Sequence, residues 1–140
     1  MTLDLSSLQK AVAALDNSIN SYCTNQNNES LSNVDKETLK SGVIQNFEVA
    51  YELCWKFMKR WLEENAGGEV INALTIKELF RMSFERVLIK DVDAWFGYHK
   101  ARNLTAHTYD GDNASKAFAA ASEFIFDAKD FLKTLEDKND

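Results

Sequence analysis

The stretch that decides the fold is KETLKSGVIQNFEVAYELCWKFMKRWLEEN, which runs from Lys36 to Asn65. It contains no proline, and its apolar residues recur three or four positions apart, which is the spacing of an α-helix. The apolar residues fall on two faces. The first face consists of Val43, Phe47, Ala50, Cys54, Met58 and Trp61, and the second consists of Val49, Leu53 and Phe57. A helix that is apolar on more than one side must be covered on more than one side. This segment is therefore either central to a helical bundle or shared with another subunit.

Four further helices are predicted around this segment from the same periodicity and from helix-end signals. They run from about Leu5 to Tyr22, from the capping-box pattern at Thr75 to about Leu88, from a cap at Asp91 or Asp93 through His107, and from the turn signal Asp110–Asn113 to about Glu136. Short connections between helices imply antiparallel neighbours. The expected fold is an all-α, up-and-down bundle of four to five helices that forms one domain over residues 1–140.

The boundaries of the long helix are predicted from local signals. Asp35 is a suitable N-cap, and the pair Gly67-Gly68 is a suitable stop. The stretch from Thr24 to Asn33 is polar, rich in asparagine and without periodicity, so it is expected to be a mobile linker.

Composition excludes several classes of protein. The chain has 140 residues, no proline and five glycines, with 45% hydrophobic and 27% charged residues, as in a soluble, helix-rich protein. It has neither a signal-peptide pattern nor an apolar run of about 20 residues, so we expect a cytoplasmic protein with no membrane partner. Two cysteines and two histidines without metal-ligand spacing argue against a zinc site, and Cys54 is expected to be a buried thiol.

The net charge of −6 argues against indiscriminate coating of nucleic acid. The charge is uneven, however: residues 1–76 carry 6 basic and 10 acidic side chains (−4), residues 77–109 carry 6 and 4 (+2), and residues 110–140 carry 4 and 8 (−4), which together give −6. The only net-positive third of the chain therefore contains the segment described next, although a solvated mixed face would have the same composition.

The polar segment RNLTAHTY, from Arg102 to Tyr109, stands out on an otherwise aromatic helix. Five residues on a continuous α-helix are a rotation of about 140°, so Arg102 and His107 would not share a face, whereas Tyr109 would return to the side of Arg102. The residues can converge if the helix frays near Thr105–Ala106. They can also converge if two subunits bring their segments together across an interface.

Arginine and histidine together suit phosphodiester chemistry. A guanidinium holds phosphate oxygens in a bidentate fork, and an imidazole can take a proton from a ribose 2′-OH or give one to a leaving oxygen. RNA supplies its own nucleophile, so this chemistry requires neither a metal nor a cofactor. Spacing alone also fits a capping Arg102 and a hydrogen-bonded surface His107.

The string Arg-Asn-x-x-x-His-x-Tyr, placed after Trp95 and Tyr98 and before a final amphipathic helix, resembles the HEPN superfamily, and within it the HepT-like toxins, also described as nucleotidyltransferase substrate-binding subunits. The resemblance covers essentially the whole chain. It implies a homodimer, a partner nucleotidyltransferase of antitoxin type and RNA as a substrate. By the same resemblance Arg102 and His107 are the catalytic pair, Asn103 has an orienting role, and Tyr109 is the residue to which the partner adds AMP.

Two other functions remain open from the sequence: a non-catalytic subunit that presents substrate to a nucleotidyltransferase, and a purely structural bundle. Glu48 and Glu52 are expected on a solvated face, with Glu52 paired to Lys56. The aromatic residues Trp55, Phe57 and Trp61 are expected in the core or at an interface rather than in a base-stacking platform.

Overall fold

The computed structural model describes residues 2–139, with the backbone alone at residues 68 and 69. The helices are α1 (Ser6–Asn25), α2 (Asn33–Ala66), α3 (Gly68–Asn72), α4 (Ile76–Glu85), α5 (Val92–Leu104) and α6 (Gly111–Lys138), with a 3-10 turn at Thr105–His107 between α5 and α6. No strand occurs within residues 2–139. The predicted all-α bundle is confirmed, and the short α3 is an element that the sequence did not predict.

Helix α2 is the centre of the bundle, which is one of the two arrangements expected from its apolar faces. It packs against α1, α3, α4, α5 and α6. Its buried residues meet an aromatic cluster whose hub is Phe124 of α6, with ring centroids 5.2 Å from Phe47, 5.5 Å from Trp95 and 5.1 Å from Tyr98. The Cys54 thiol is fully buried, as predicted. This core fixes α5, and with it the polar segment, against α2 and α6.

The start of α2 differs from the prediction. Ser32, not Asp35, is the N-cap: its hydroxyl accepts a hydrogen bond from the Asp35 backbone N–H (3.0 Å), while the Asp35 carboxylate accepts one from the Ser32 backbone N–H (3.4 Å). This reciprocal capping box satisfies two backbone donors at once, so it is preferred over a single cap at Asp35. Because α1 extends to Asn25 and α2 begins at Asn33, the predicted linker is shorter, comprising residues 26–32.

The end of α4 also differs from the prediction, because the helix stops at Glu85 rather than near Leu88. Val87 adopts a left-handed conformation (φ 62°), and the N–H groups of Val87 and Leu88 donate to the carbonyls of Phe84 (3.0 Å) and Ser83 (2.8 Å). This is the hydrogen-bond pattern of a Schellman motif, in which glycine is the usual left-handed residue. The turn buries Leu88 and Ile89 in the core, which offsets the strain at Val87.

Replacing Val87 by glycine is expected to stabilise the protein by about 1 kcal/mol, because a left-handed conformation costs a residue with a Cβ atom about 1–2 kcal/mol and part of the gain is lost to glycine's greater freedom when unfolded. Val87 is 69% exposed, so little burial is lost. Urea unfolding of Val87→Gly measures the change. Arg86→Gly is the matched control, since Arg86 has a φ of −89° and should gain nothing. Equal effects of the two substitutions would contradict the strain at Val87.

No helix within residues 2–139 has the length and apolar character needed to cross a bilayer.

Candidate functional site

The polar segment predicted to carry the chemistry lies at the junction of α5 and α6. The Asp91 side chain caps the start of α5 by accepting from the Ala94 N–H (3.1 Å), which decides between the two predicted caps. At the other end the backbone tightens into the 3-10 turn Thr105–His107, and the Thr105 hydroxyl donates to the Arg102 carbonyl (2.6 Å). A break near Thr105–Ala106, one of the two ways considered for bringing Arg102 and His107 together, is therefore present, although it does not pair these two side chains within one copy of the chain. Asp110 is the N-cap of α6, which begins at Gly111. The last three residues of the predicted turn Asp110–Asn113 are therefore helical, and the turn is shorter than expected.

Arg102 is held by two carboxylates of α2. Its Nε donates to Glu52 Oε1 (3.2 Å), and one terminal nitrogen, Nη1, lies 4.0 Å from Glu48 Oε2 and donates to the Thr105 hydroxyl (3.1 Å). Glu52 is itself fixed, because its Oε2 accepts from the Trp55 indole N–H (3.1 Å). Glu48 and Glu52 thus face Arg102 with 34% and 35% of their side chains exposed, so the expected solvated face is only partly solvated and also pairs with a cation. The expected Glu52–Lys56 pair is absent from the described residues.

His107 and Tyr109 lie together in the connection between α5 and α6. Their rings are 6.0 Å apart and nearly perpendicular, and both side chains are exposed, Tyr109 by 88%. Within residues 2–139 no hydrogen bond or ion pair joins the His107 imidazole to another group, whereas its backbone carbonyl accepts from the Asn113 side chain (3.3 Å). One copy of the chain therefore brings His107 to Tyr109 but does not pair His107 with Arg102.

A cavity of about 460 Å³ lies beside Arg102, between α2, α3, α4 and α5. Its lining residues are Tyr51, Glu52, Trp55, Lys59, Ile71, Leu74, Thr75, Ile76, Leu79, His99, Arg102 and Asn103. Apolar walls with a few polar groups and two cations are typical of a small-ligand site. Of the predicted site residues, Arg102 and Asn103 line this cavity, whereas His107 and Tyr109 do not.

His99 is a residue of this cavity whose importance the sequence did not reveal. Its Nδ1 is 2.7 Å from the Tyr51 hydroxyl. Burial lowers the pKa of His99 below its ordinary value of 6.5, against the opposing effect of Glu52, and burial raises the pKa of Tyr51. This pair uses Nδ1 of His99 and leaves the Nε2 atom of the ring without a hydrogen-bond partner among the described residues. The two residues lie 48 positions apart, a contact that local spacing does not encode.

Fold and site together define a helical bundle with a basic, polar segment at a helix junction. Residues 3–137 match the family model described as nucleotidyltransferase substrate binding protein like. Over 105 residues the chain is 36% identical to a probable ribonuclease HepT of Haemophilus influenzae, covering 74% of this chain and 72% of the relative. The chain belongs to this HepT-like family of nucleotidyltransferase substrate-binding proteins.

Solved structures show the same fold. A Haemophilus influenzae protein, described as revealing the fold of a substrate binding domain of a nucleotidyltransferase, superimposes with a TM-score of 0.89 at 30% identity, over 95% of this chain and 99% of that one. A protein of Thermus thermophilus superimposes with a TM-score of 0.70 at 25% identity, over 91% of this chain and 98% of that one. The resemblance inferred from the Arg102–Tyr109 string is therefore confirmed at the level of the family and the fold.

Proposed function

We propose that the chain is a metal-independent endoribonuclease that acts through Arg102 and His107. The observation that carries this proposal is the contrast between the two side chains: a guanidinium fixed by hydrogen bonds and an exposed imidazole without a hydrogen-bond partner among the described residues. A fixed cation suits phosphate binding, and an accessible imidazole suits proton transfer. The probable ribonuclease among its relatives supports the same activity. Cleavage of single-stranded RNA by the purified chain in EDTA tests the proposal.

The reaction follows from the substrate's own chemistry. The 2′-OH of the ribose attacks the adjacent phosphorus while an imidazole takes its proton. The bond from phosphorus to the 5′-oxygen breaks, and a second acid protonates that oxygen. The products are a 2′,3′-cyclic phosphate and a free 5′-OH. Two proton-transfer groups are needed, and two copies of His107 supply them in a dimer.

Arg102 can bind phosphate without leaving its partners. A guanidinium has five N–H donors, and Arg102 uses its Nε and one Nη1 hydrogen on Glu52 and Thr105. The second terminal nitrogen makes no hydrogen bond within residues 2–139, so both of its hydrogens are available to a phosphate oxygen. Glu52, Glu48 and Thr105 then act as positioning residues that hold the guanidinium plane. Asn103, exposed beside it, is placed to orient the substrate.

Because one copy does not pair Arg102 with His107, we propose that two Arg102–Tyr109 segments meet in a homodimer. Sedimentation equilibrium at micromolar concentration should give a mass of twice 15.9 kDa. A monomer would contradict the proposal, as would a dimer whose two His107 side chains lie at opposite ends.

The partner we propose is a small nucleotidyltransferase that adds AMP to Tyr109 and thereby silences the activity. Tyr109 is 88% exposed, so it does not anchor the turn against α6, and its ring contacts His107. In the proposed homodimer, where the two segments meet, a phosphate at this position would compete with RNA for the Arg102 guanidinium and repel the RNA backbone. After incubation with the partner and ATP, intact-mass analysis should show a gain of AMP units that Tyr109→Phe abolishes. Tyr22→Phe is the control; a gain that survives Tyr109→Phe would place the modification elsewhere.

The alternative function is a non-catalytic subunit that presents a nucleotide or other substrate to the nucleotidyltransferase. The cavity of about 460 Å³ beside Arg102 favours it, because that volume suits a ligand of nucleotide size. The family description of substrate binding points the same way. An RNA-inactive chain that raises the partner's transfer rate would establish this function instead.

A further inference from the structure

A second cavity, of about 450 Å³, adjoins the one beside Arg102. It is lined by Lys77, Phe96, Gly97, His99, Lys100 and Asn103. The two cavities share the lining residues His99 and Asn103, so they adjoin each other along α4 and α5, and we call the pair the depression. Arg102 lines the first of the two cavities. His107, in the turn between α5 and α6, lines neither cavity.

The depression is strongly basic for a chain of net charge −6. Its cations are Lys59, Lys77, Lys100 and Arg102, and Arg81 lies over the Phe96 ring at 5.4 Å. Among the described residues Glu52 is the only carboxylate that lines either cavity, and it is paired with Arg102. Within residues 2–139 none of the three lysines forms an ion pair. We call this surface, with the rings of Trp55 and Phe96, the basic strip.

Each cavity of the basic strip has one partly exposed aromatic ring in a fixed orientation. The Trp55 indole is held by its hydrogen bond to Glu52 (3.1 Å) and has the Lys56 ammonium over its ring (5.8 Å), while Phe96 packs beneath Lys77 (5.7 Å) and Arg81. A base that stacks on either ring must displace one of these long, flexible cationic side chains. Nε2 of His99 and the amide of Asn103, which line both cavities, supply hydrogen-bonding groups between the two rings. Cations alternating with aromatic rings are the arrangement by which proteins hold single-stranded nucleic acid, since the cations follow the backbone and the rings stack on bases.

We infer that the basic strip is a binding track for single-stranded RNA, which leads the strand to Arg102 and holds one unstacked base in each cavity. This rests on the proposed ribonuclease function and names the substrate class as unpaired RNA. A duplex does not fit, because its bases are stacked on one another and cannot enter the cavities. An acidic protein surface would match the charge but leave two cavities and two rings without a role.

The test measures binding of a 2′-O-methylated RNA 12-mer by fluorescence anisotropy over a range of salt concentrations. This RNA lacks the attacking hydroxyl and so cannot be cleaved. Lys77→Gln/Lys100→Gln should weaken binding and reduce the slope of log K against log salt by about 1.4, since each phosphate contact on a single strand contributes about 0.7. Trp55→Ala and Phe96→Leu should each weaken binding about tenfold and leave the slope unchanged. Lys10→Gln/Lys133→Gln, which has the same change in charge but lies outside both cavities, should bind as the wild type does.

The outcomes separate this inference from the proposed function. If the strip variants lose RNA binding but the wild-type chain cleaves no unmodified RNA, the track is supported and the ribonuclease function is refuted. Strip variants that bind and cleave RNA as the wild type does would refute the track and leave the ribonuclease intact. Lys77→Gln/Lys100→Gln could also bind RNA as the wild type does but no longer form a complex with the nucleotidyltransferase. That result would overturn the track and make the strip a protein-docking surface.

Discussion

RNA cleavage by His107→Ala is expected to be slower than by the wild type by a factor of about 10²–10⁴, the usual loss when a general acid or base is removed. The His107 side chain is exposed and has no hydrogen-bond partner within residues 2–139, so its removal should leave the bundle intact. Initial rates on a labelled single-stranded RNA, with circular dichroism on the same samples, measure both effects.

Arg102 needs a gentler substitution, because its removal would leave Glu48 and Glu52 facing each other without a cation. Arg102→Lys keeps the charge but loses the fork that binds phosphate, and we expect a loss of similar size to that of His107→Ala. If the two residues act on one phosphate, the double variant should lose less than the sum of the single losses. Arg86→Ala, an exposed arginine outside the site, is the control. Equal cleavage by His107→Ala and the wild type would refute the assignment.

The largest effect on stability is expected at Phe124. This side chain is fully buried at the hub of the aromatic cluster, so truncation to alanine removes contacts with four rings and leaves a cavity. The expected cost is about 3–5 kcal/mol in the free energy of unfolding, measured in urea. Phe126→Ala is the matched control two positions along α6: Phe126 is 72% exposed and should change stability by less than about 0.5 kcal/mol. Equal losses at the two positions would contradict the packing described.

Most of the fold could be predicted from the sequence, because helical periodicity survives wherever a face is buried. The two apolar faces of α2 required covering on two sides; the bundle buries most of the first face and Phe57 of the second, whereas Val49 stays 49% exposed. The ends of the helices were less predictable, since neighbouring residues that can each cap a helix compete for the same position. Ser32 and Asp35 can each cap a helix, and the reciprocal capping box uses both. At Val87 burial of Leu88 and Ile89 outweighs a strained backbone, which no local propensity indicates.

The candidate site was only partly predictable. The rotation between Arg102 and His107 left two alternatives, a break near Thr105 or convergence across a subunit interface; the break is present but does not join the two residues. The partners of Arg102 were not predictable, because Glu52 lies 50 positions away and nothing in its own helix marks it as different from a solvated acid. The contact between His99 and Tyr51 was not predictable either, because these residues lie 48 positions apart. The local sequence and the family resemblance thus pointed to the Arg102–Tyr109 segment as the candidate site, whereas the groups that contact Arg102 come from long-range packing.

The most direct test of the ribonuclease is analysis of the products that the purified chain forms from single-stranded RNA in EDTA. Mass spectrometry of the fragments should show 2′,3′-cyclic phosphate ends and free 5′-OH ends, because the attacking group is the substrate's own hydroxyl, and both should be absent with His107→Ala. Intact RNA after incubation with a folded wild-type chain, or fragments with 5′-phosphate ends, would contradict the proposed activity.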